Sequence, residues 1–293
     1  MTRGEPLPAV GRTLYVVATP IGNLRDLTLR ALDVLGQVDV VAAEDTRVTG
    51  VLLAHHGIRV QLLSLNEHNE KRRAAELVAL LAQGKRVALV TDAGTPAISD
   101  PGALLVRAVT DAGYAVVPVP GPSAVIAALS ASGLAAAQWM FCGFLPATAA
   151  ARRSALDAVA AVPAALVFYE APHRVQATLA ALAAALGATR EVVVARELTK
   201  RFETIHHCAL GAAADWVGAD ADRVRGEFVL IVAAPGKPAA PDAAAHDATL
   251  SLLLAELPLA RAVKLAAALT GASKNVLYQR ALALKAADEA APK

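Results

Sequence analysis

Aromatic side chains are scarce, 4% of 293 residues, so the chain displays no row of base-stacking platforms of the kind single-strand binders use. Charge of one sign is also lacking. A net charge of +2 sets up no strong overall field toward nucleic acid, and any basic surface has to be local. Cysteine occurs only at Cys142 and Cys208, which cannot make a disulfide framework and which fit a reducing cytoplasm. The stretch Met1 to Arg12 carries charges and two prolines but no apolar signal core. Long apolar runs are missing too. Residues 112–151 hold no charged side chain, yet Pro118, Pro120, Gly121, Pro122, Gly133 and Pro146 divide them. No run of about 18 apolar residues survives to cross a membrane, and buried strands with a buried helix are expected there instead.

Familiar signatures are absent as well. No G-x-G-x-x-G follows the first strand, and Gly84-Lys85 ends a helix rather than opening a phosphate loop. No G-x-S-x-G elbow offers a serine nucleophile. His206, His207 and Cys208 are adjacent on a strand and point to alternate faces, so they do not converge on one ion. His55-His56 stands at a helix end, where a charged imidazole is merely favourable. No metal site is expected.

What is present is an alternation. Hydrophobic residues make up 56% of the chain, many of them alanine, which suits helices. Thr13 to Thr19 reads as a strand buried on both faces. Asp26 is placed to cap the helix after it, ended by Gly36. Strands near 38–42, 60–63, 87–90 and 115–119 alternate with helices ending near His55, at 70–82 and at 103–110. Strand and helix in turn with short gaps predict a parallel sheet with crossover helices. Each polar cluster therefore follows a strand, and all lie on one edge of the sheet. Ser123 is expected to cap a helix to Leu129, and the domain change is placed there. Strands near 139–144, 164–169, 191–195, 203–209 and 228–233 follow, with helices near 149–162, 175–186 and 212–217. The strand at 203–209 has no helix before it, so some antiparallel pairing is expected. Three prolines mark 235–245 as a linker. Beyond it, helices capped by Asp247 and Ser273 flank one at 260–269, in a helix-turn-helix-like arrangement that suits a nucleic-acid contact or a helical cover. The expected domains are 1–122, 123–234 and 246–293.

The loop Val90 to Gly102 (V-T-D-A-G-T-P-A-I-S-D-P-G) combines permissive glycines with stiff prolines at a strand end, where open α/β sheets bind ligands. Carboxylates at Glu44, Asp45, Asp92, Asp100, Glu170 and Glu197 share that edge with Arg25, Arg47, Arg174, Arg196, Lys200 and Arg201. Composition and spacing lead to a ligand-binding cleft between two α/β domains, and no further.

The motifs 18–24 (A-T-P-I-G-N-L), 43–47 (A-E-D-T-R), 91–102, 120–124 (P-G-P-S-A), 141–146 (F-C-G-F-L-P), 168–174 (F-Y-E-A-P-H-R), 196–200 (R-E-L-T-K) and 225–228 (R-G-E-F) carry a resemblance. In this order, across roughly 13–233, they resemble the tetrapyrrole methylase superfamily. Within it they are most similar to the branch acting on small-subunit ribosomal RNA. The resemblance implies two α/β domains with an S-adenosylmethionine cleft between them, plus a small C-terminal helical domain. It implies 2′-O-methylation of a cytidine in the decoding region of 16S ribosomal RNA, a homodimer, and a cytoplasmic protein. An acceptor such as a tetrapyrrole, another small molecule or a protein side chain is the alternative, since superfamily folds serve several acceptors.

The same resemblance places Ala93, Gly94, Thr95 and Ile98 against the cofactor by backbone, with Ser123 and Ala124 beside it. Pro20, Phe168, Tyr169, Gly226 and Glu227 are further walls. Asn23 and Arg47 are expected to position ribose or phosphate, with Arg174 and Lys200 as further RNA contacts. Methyl transfer is an in-line displacement that needs alignment and help in removing the hydroxyl proton, but no metal. Asp45, Asp100, Glu197 and Lys200 are the candidate acceptors of that proton, Lys200 if burial or Arg196 lowers its pKa. An apolar helix such as 125–129 is a candidate for the dimer interface.

Overall fold

The computed structural model describes residues 9–135, 137–235 and 246–289. Residues 1–8 of the expected leaderless start and 236–245 of the expected linker lie outside them. The chain divides into two compact units, Met1–Ala234 and Pro235–Lys293.

The first unit opens with strands β1 (Thr13–Val17), β2 (Val40–Ala43), β3 (Gln61–Ser64), β4 (Arg86–Val90) and β5 (Ala115–Val119). They form a parallel sheet in the order β3-β2-β4-β1-β5. Helices α1 (Leu29–Leu35), α2 (Thr46–His55), α3 (Glu70–Ala82) and α4 (Ala103–Asp111) are the crossovers. Strand alternation sends Tyr15, Val17, Ala88 and Val90 to the core under α1 and α2. Leu14, Val87 and Leu89 go to the core under α3 and α4. Two covered faces explain why the inner strands β1, β2 and β4 read as nearly continuous apolar runs.

Capping corrects one expectation. Thr28 rather than Asp26 caps α1, its hydroxyl accepting from Ala31 N at 3.2 Å. The chain first makes a 3₁₀ turn, Leu24–Asp26, and Asp26 is held inside it. A buried carboxylate fixes the far end of the 91–102 loop. Oε1 of Glu70 accepts from the backbone N–H groups of Gly102 (2.8 Å), Leu104 (2.9 Å) and Leu105 (3.3 Å) at the start of α4. An anion suits that helix end. Hydrogen bonds to a charged group contribute roughly 1.5–3 kcal/mol. Glu70→Ala is expected to cost about 3 kcal/mol in a urea titration, and a loss near zero would show that the carboxylate does not hold this loop.

The second half has β6 (Trp139–Phe144), β7 (Ala165–Glu170), β8 (Glu191–Arg196), β9 (Thr204–Ala209) and β10 (Phe228–Val232). Their order is β6-β7-β10-β8-β9. Antiparallel pairing, expected at the fourth of these strands, extends further, because β10 inserts between β7 and β8 and opposes both. Helices α6 (Ala149–Val159), α7 (Val175–Leu186) and α8 (Leu210–Gly218) cover one face around Leu166, Phe168 and Leu230. Helix α5 (Ala124–Ala131) covers the other, burying Val125 and Ala128 against Val167 and Ile231. Ser123 takes its N-cap position without a side-chain hydrogen bond. The apolar face of 125–129 thus belongs to the chain's own core, which removes most of it as a candidate dimer surface.

The second unit packs α9 (Asp247–Glu256), α10 (Leu259–Thr270) and α11 (Lys274–Glu289) around Leu250, Val263, Ala266, Leu277 and Ala281. Asp247 lies one residue inside α9, after its N-cap His246. It pairs with Arg280 (Nε to Oδ1, 2.7 Å) and ties α9 to α11. No helix of the described residues is long and apolar enough to cross a membrane.

Candidate active-site cleft

The carboxyl ends of β1 and β4 are neighbours, and the loops that leave them are stitched together. Thr19 N–H donates to Gly94 O (2.8 Å), and Gly94 N–H donates to Thr19 O (3.1 Å). The Thr19 hydroxyl donates to Thr91 O at 3.0 Å. Gly94 reaches this bridge at φ +92°, a region other residues rarely enter. Ala97 (φ 65°) and Ser99 (φ 68°) hold left-handed backbone without being glycine, strain of the kind found at ligand clamps. The Thr95 hydroxyl donates to Pro122 O (3.1 Å), joining the loop to the start of α5.

Facing these loops are the ends of β6, β7 and β10 and the turn after β8. Together they enclose a cavity of about 390 Å³, within the roughly 300–1,000 Å³ of small-molecule sites. Ile21, Phe144, Tyr169, Leu198 and Val229 give it apolar walls, and Glu44, Asp92, Asp100, Glu170 and Glu227 give it carboxylates. Tyr169 meets Phe141 edge-on at 4.9 Å and Phe144 at 5.5 Å.

Of the residues expected at the cofactor, Ala93, Gly94, Thr95, Ile98, Ser123, Ala124, Tyr169 and Glu227 line this cavity. Gly94 does so with both backbone polar groups already engaged by Thr19, so it offers close approach rather than a hydrogen bond. Phe168 does not line it. It alternates with Tyr169 on β7 and is fully buried on the other face. Gly226 lies under Glu197, whose carboxyl carbon would be 2.4 Å from an added Cβ. Pro20 lines a second groove beside the cleft.

The four candidate proton acceptors separate clearly. Asp45 caps α2 through Arg47 N (2.8 Å) and pairs with the Arg47 guanidinium at 2.5 Å. The Arg47 side chain and then its backbone lower the Asp45 carboxyl to about 2. Lys200 corrects an expectation. Burial alone would lower its pKa, but hydrogen bonds to Glu197 (2.8 Å) and Glu227 (2.9 Å) outweigh burial and raise it. That direction works against Lys200 as a proton acceptor. Burial would raise Glu197, but Lys200 and the Glu227 N–H (3.0 Å) hold it below its ordinary value. Asp100 is different. Burial pushes it up to about 6, offset in part by the Thr91 side chain, with smaller contributions from repulsion by Glu44 and Asp92. It also faces the cavity.

The expected RNA contacts divide as well. Arg47 is 89% exposed despite its bond to Asp45. Asn23 Oδ1 accepts from Arg25 N (3.1 Å) and shapes the 3₁₀ turn. Arg174 is a brace: it pairs with the buried Glu170 at 3.2 Å and donates to Leu145 O and Pro146 O. Glu170 also accepts from the Thr178 hydroxyl (2.6 Å) and Ala171 N (2.9 Å). The Lys200 stem packs on Gly22, where an added Cβ would lie 2.6 Å from Cγ. Among the described residues no cluster of three or more His, Cys, Asp or Glu is placed to hold a metal.

Sequence reasoning assigned no ligand wall to Ile21, Ser99, Phe144, Glu170, Leu198 or Val229, all of which line the cavity. Most stand inside strand-end motifs, a signal that was available. Val229 lies within a strand and carried none.

The family model for tetrapyrrole (corrin/porphyrin) methylases matches residues 13–214. A model described as the RsmI C-terminal HTH domain matches 240–285. Among curated proteins, the ribosomal RNA small subunit methyltransferase I of Escherichia coli O157:H7 is 52% identical over 271 residues, 92% of this chain and 94% of that protein. The protein of the same name from Pseudomonas aeruginosa is 52% identical over 272 residues, 92% and 96% of the two chains. Among solved structures, a cobalt precorrin-4 methyltransferase aligns with TM-score 0.56 at 19% identity, over 76% of this chain and 95% of that one. Uroporphyrin-III-C-methyltransferase from Thermus thermophilus aligns with TM-score 0.55 at 22% identity, over 75% and 94%. At such identities the structures speak for the fold alone.

Proposed function

The chain belongs to the tetrapyrrole (corrin/porphyrin) methylases, and we propose that it transfers a methyl group from S-adenosylmethionine to the ribose 2′-hydroxyl of a cytidine in the decoding region of 16S ribosomal RNA. The observation that carries this is the 52% identity to a ribosomal RNA small subunit methyltransferase I along 92% of the chain. The tetrapyrrole-methylating neighbours, at 19% and 22%, share the scaffold rather than this degree of sequence. The working form is a cytoplasmic homodimer acting on the RNA or on the small subunit.

The cavity fits such a cofactor. Its apolar walls suit an adenosine, and its carboxylates suit a sulfonium and an ammonium group. Ala93, Gly94, Thr95 and Ile98 would hold it from the first half, and Ser123, Ala124, Tyr169 and Glu227 from the second. When bound, the cofactor supplies a methyl group activated by the positive sulfur. The chain's own residues supply alignment and a base. Asp100 is that base: a carboxyl near 6 is ionised at neutral pH yet basic enough to draw a proton from a hydroxyl under attack. Asp45 is too acidic, and Glu197 and Lys200 are locked to each other. Lys200 and Glu197 instead brace the β8–β9 turn against Gly22, while Arg47 and Asn23 stand at the RNA side.

Calorimetry with S-adenosylmethionine and mass mapping of methyl groups on small-subunit RNA, from cells with and without the chain, test the reading. Absence of binding removes it. Binding without RNA methylation moves the acceptor to a small molecule or a protein.

A further inference from the structure

Beside the cleft lies a second groove of about 310 Å³. Leu24 of the 3₁₀ turn and Val48, Val51 and Leu52 of α2 line it, and Asp92 closes one wall. Asp92 also lines the main cavity, so the two spaces share a carboxylate. Leu24 is 38%, Val48 45% and Val51 68% exposed. Three large apolar side chains left to water around one concavity mark a binding surface rather than a core.

The polar partners narrow the occupant. Oδ1 of Asp92 accepts from Asp45 N at 3.0 Å. Oδ2 accepts no hydrogen bond from the described residues, and burial together with Glu44 and Asp45 raises the carboxyl's pKa. Asp92 is exposed, so this oxygen is open to a donor from outside the chain. Arg25 and Arg47 are chain neighbours of the lining residues Leu24 and Val48, and the Arg47 side chain, although paired with Asp45, is largely in solvent. An apolar groove with a carboxylate in its lining, and arginines next in the chain to two of its residues, suits a single unstacked nucleotide. Its base has faces to pack and an amine to donate, and its flanking phosphates are anionic.

We infer that this groove receives the base of the acceptor nucleotide, turned out of the RNA, with its faces against Leu24, Val48 and Val51 and its exocyclic amine donating to Oδ2 of Asp92. The inference rests on the proposed RNA methylation and adds the site that selects the nucleotide. Asp92 is the specificity residue. A carboxylate takes the amine of cytosine, whereas uracil presents a carbonyl there and leaves the acceptor unpaired. Because Asp92 belongs to both spaces, a base held there puts its own ribose at the border of the methyl-donor cavity.

The test uses the full chain with S-adenosylmethionine and small-subunit RNA. Methyl transfer by the unaltered protein upholds the underlying reading independently of the groove's role, and its absence removes both. Val48→Glu and Val51→Glu, on the exposed surface of α2, are expected to raise the KM for RNA about 10-fold, the equivalent of ~1.4 kcal/mol. Their affinity for S-adenosylmethionine and their unfolding temperature stay as they were. In Asp92→Asn the amide oxygen keeps the hydrogen bond from Asp45 N, so the amide NH2, a donor, faces the base. The preference for RNA with cytidine over uridine at the acceptor position should therefore fall about 10-fold. An unchanged KM for RNA in both valine variants overturns the groove as the nucleotide site. An unchanged cytidine-to-uridine ratio in Asp92→Asn overturns the base-reading role.

Discussion

Replacing Asp100 by asparagine is expected to lower the rate of methyl transfer by about 10²–10⁴-fold, the usual contribution of a positioned general base, while S-adenosylmethionine still binds. The reason is one of elimination by environment. Asp45 sits near 2 because Arg47 holds it, Glu197 is kept ionised and engaged by Lys200, and Lys200 is kept protonated by Glu197 and Glu227. Of these four, Asp100, raised by burial to about 6, is the one that combines a place on the cavity wall with a useful basicity. The ionised carboxylate is the active form, so the rate falls as pH drops through about 6 and levels off above it. In Asp100→Asn that acidic limb should vanish along with most of the rate. Single-turnover methyl transfer between pH 5 and 8 reads both. Wild-type rates in the variant, or an unaltered limb, would assign the proton to another group.

Gly94→Val is expected to weaken S-adenosylmethionine binding by more than about 100-fold, or ~2.7 kcal/mol, without unfolding the chain. An added Cβ would lie 3.5 Å from Ile21 Cγ2, and the branched methyls of valine would enter the cavity beside it. The backbone at φ +92° is also strained for any β-branched residue by roughly 1–3 kcal/mol. Against a total stability of ~5–15 kcal/mol that strain is tolerable. Gly113→Ala is the control. It has a comparable φ of +77° but nothing within 4 Å of its Cβ, so it should lower the melting temperature while leaving cofactor affinity intact. Calorimetry beside thermal melts separates the two effects. Retained affinity in Gly94→Val would place the cofactor against a different wall.

The elements themselves were legible because their signals are local. The apolar runs 14–17 and 87–90 follow from a sheet covered on both faces, and α3 and α7 have the expected bounds. The loop at 91–102 announced itself through glycine and proline. Caps were read less well. Asp26 and Thr28 both have the chemistry to cap a helix, and only the 3₁₀ turn, set by the chain's exit from β1, decides between them. Phe168 and Tyr169 illustrate the same limit at the site. They are neighbours in one motif, but which of them faces the cleft depends on the register of β7 against β10.

The sequence by itself determined the alternation of strands and helices, the gathering of polar motifs at strand ends, and the family resemblance those motifs carry. Each depends on residues close together in the chain. The tertiary structure alone decided how these carboxylates and Lys200 are shifted. Asp45, Asp100 and Glu197 are interchangeable on paper, and Lys200 was open to being a base. Their protonation is set by burial and by partners brought from elsewhere in the chain, such as Glu227 beside Lys200 and Glu44 beside Asp100. The same folding returned α5 to the core and left Leu24, Val48 and Val51 around an open groove. Local sequence carries no record of either outcome, because both depend on distances across the fold.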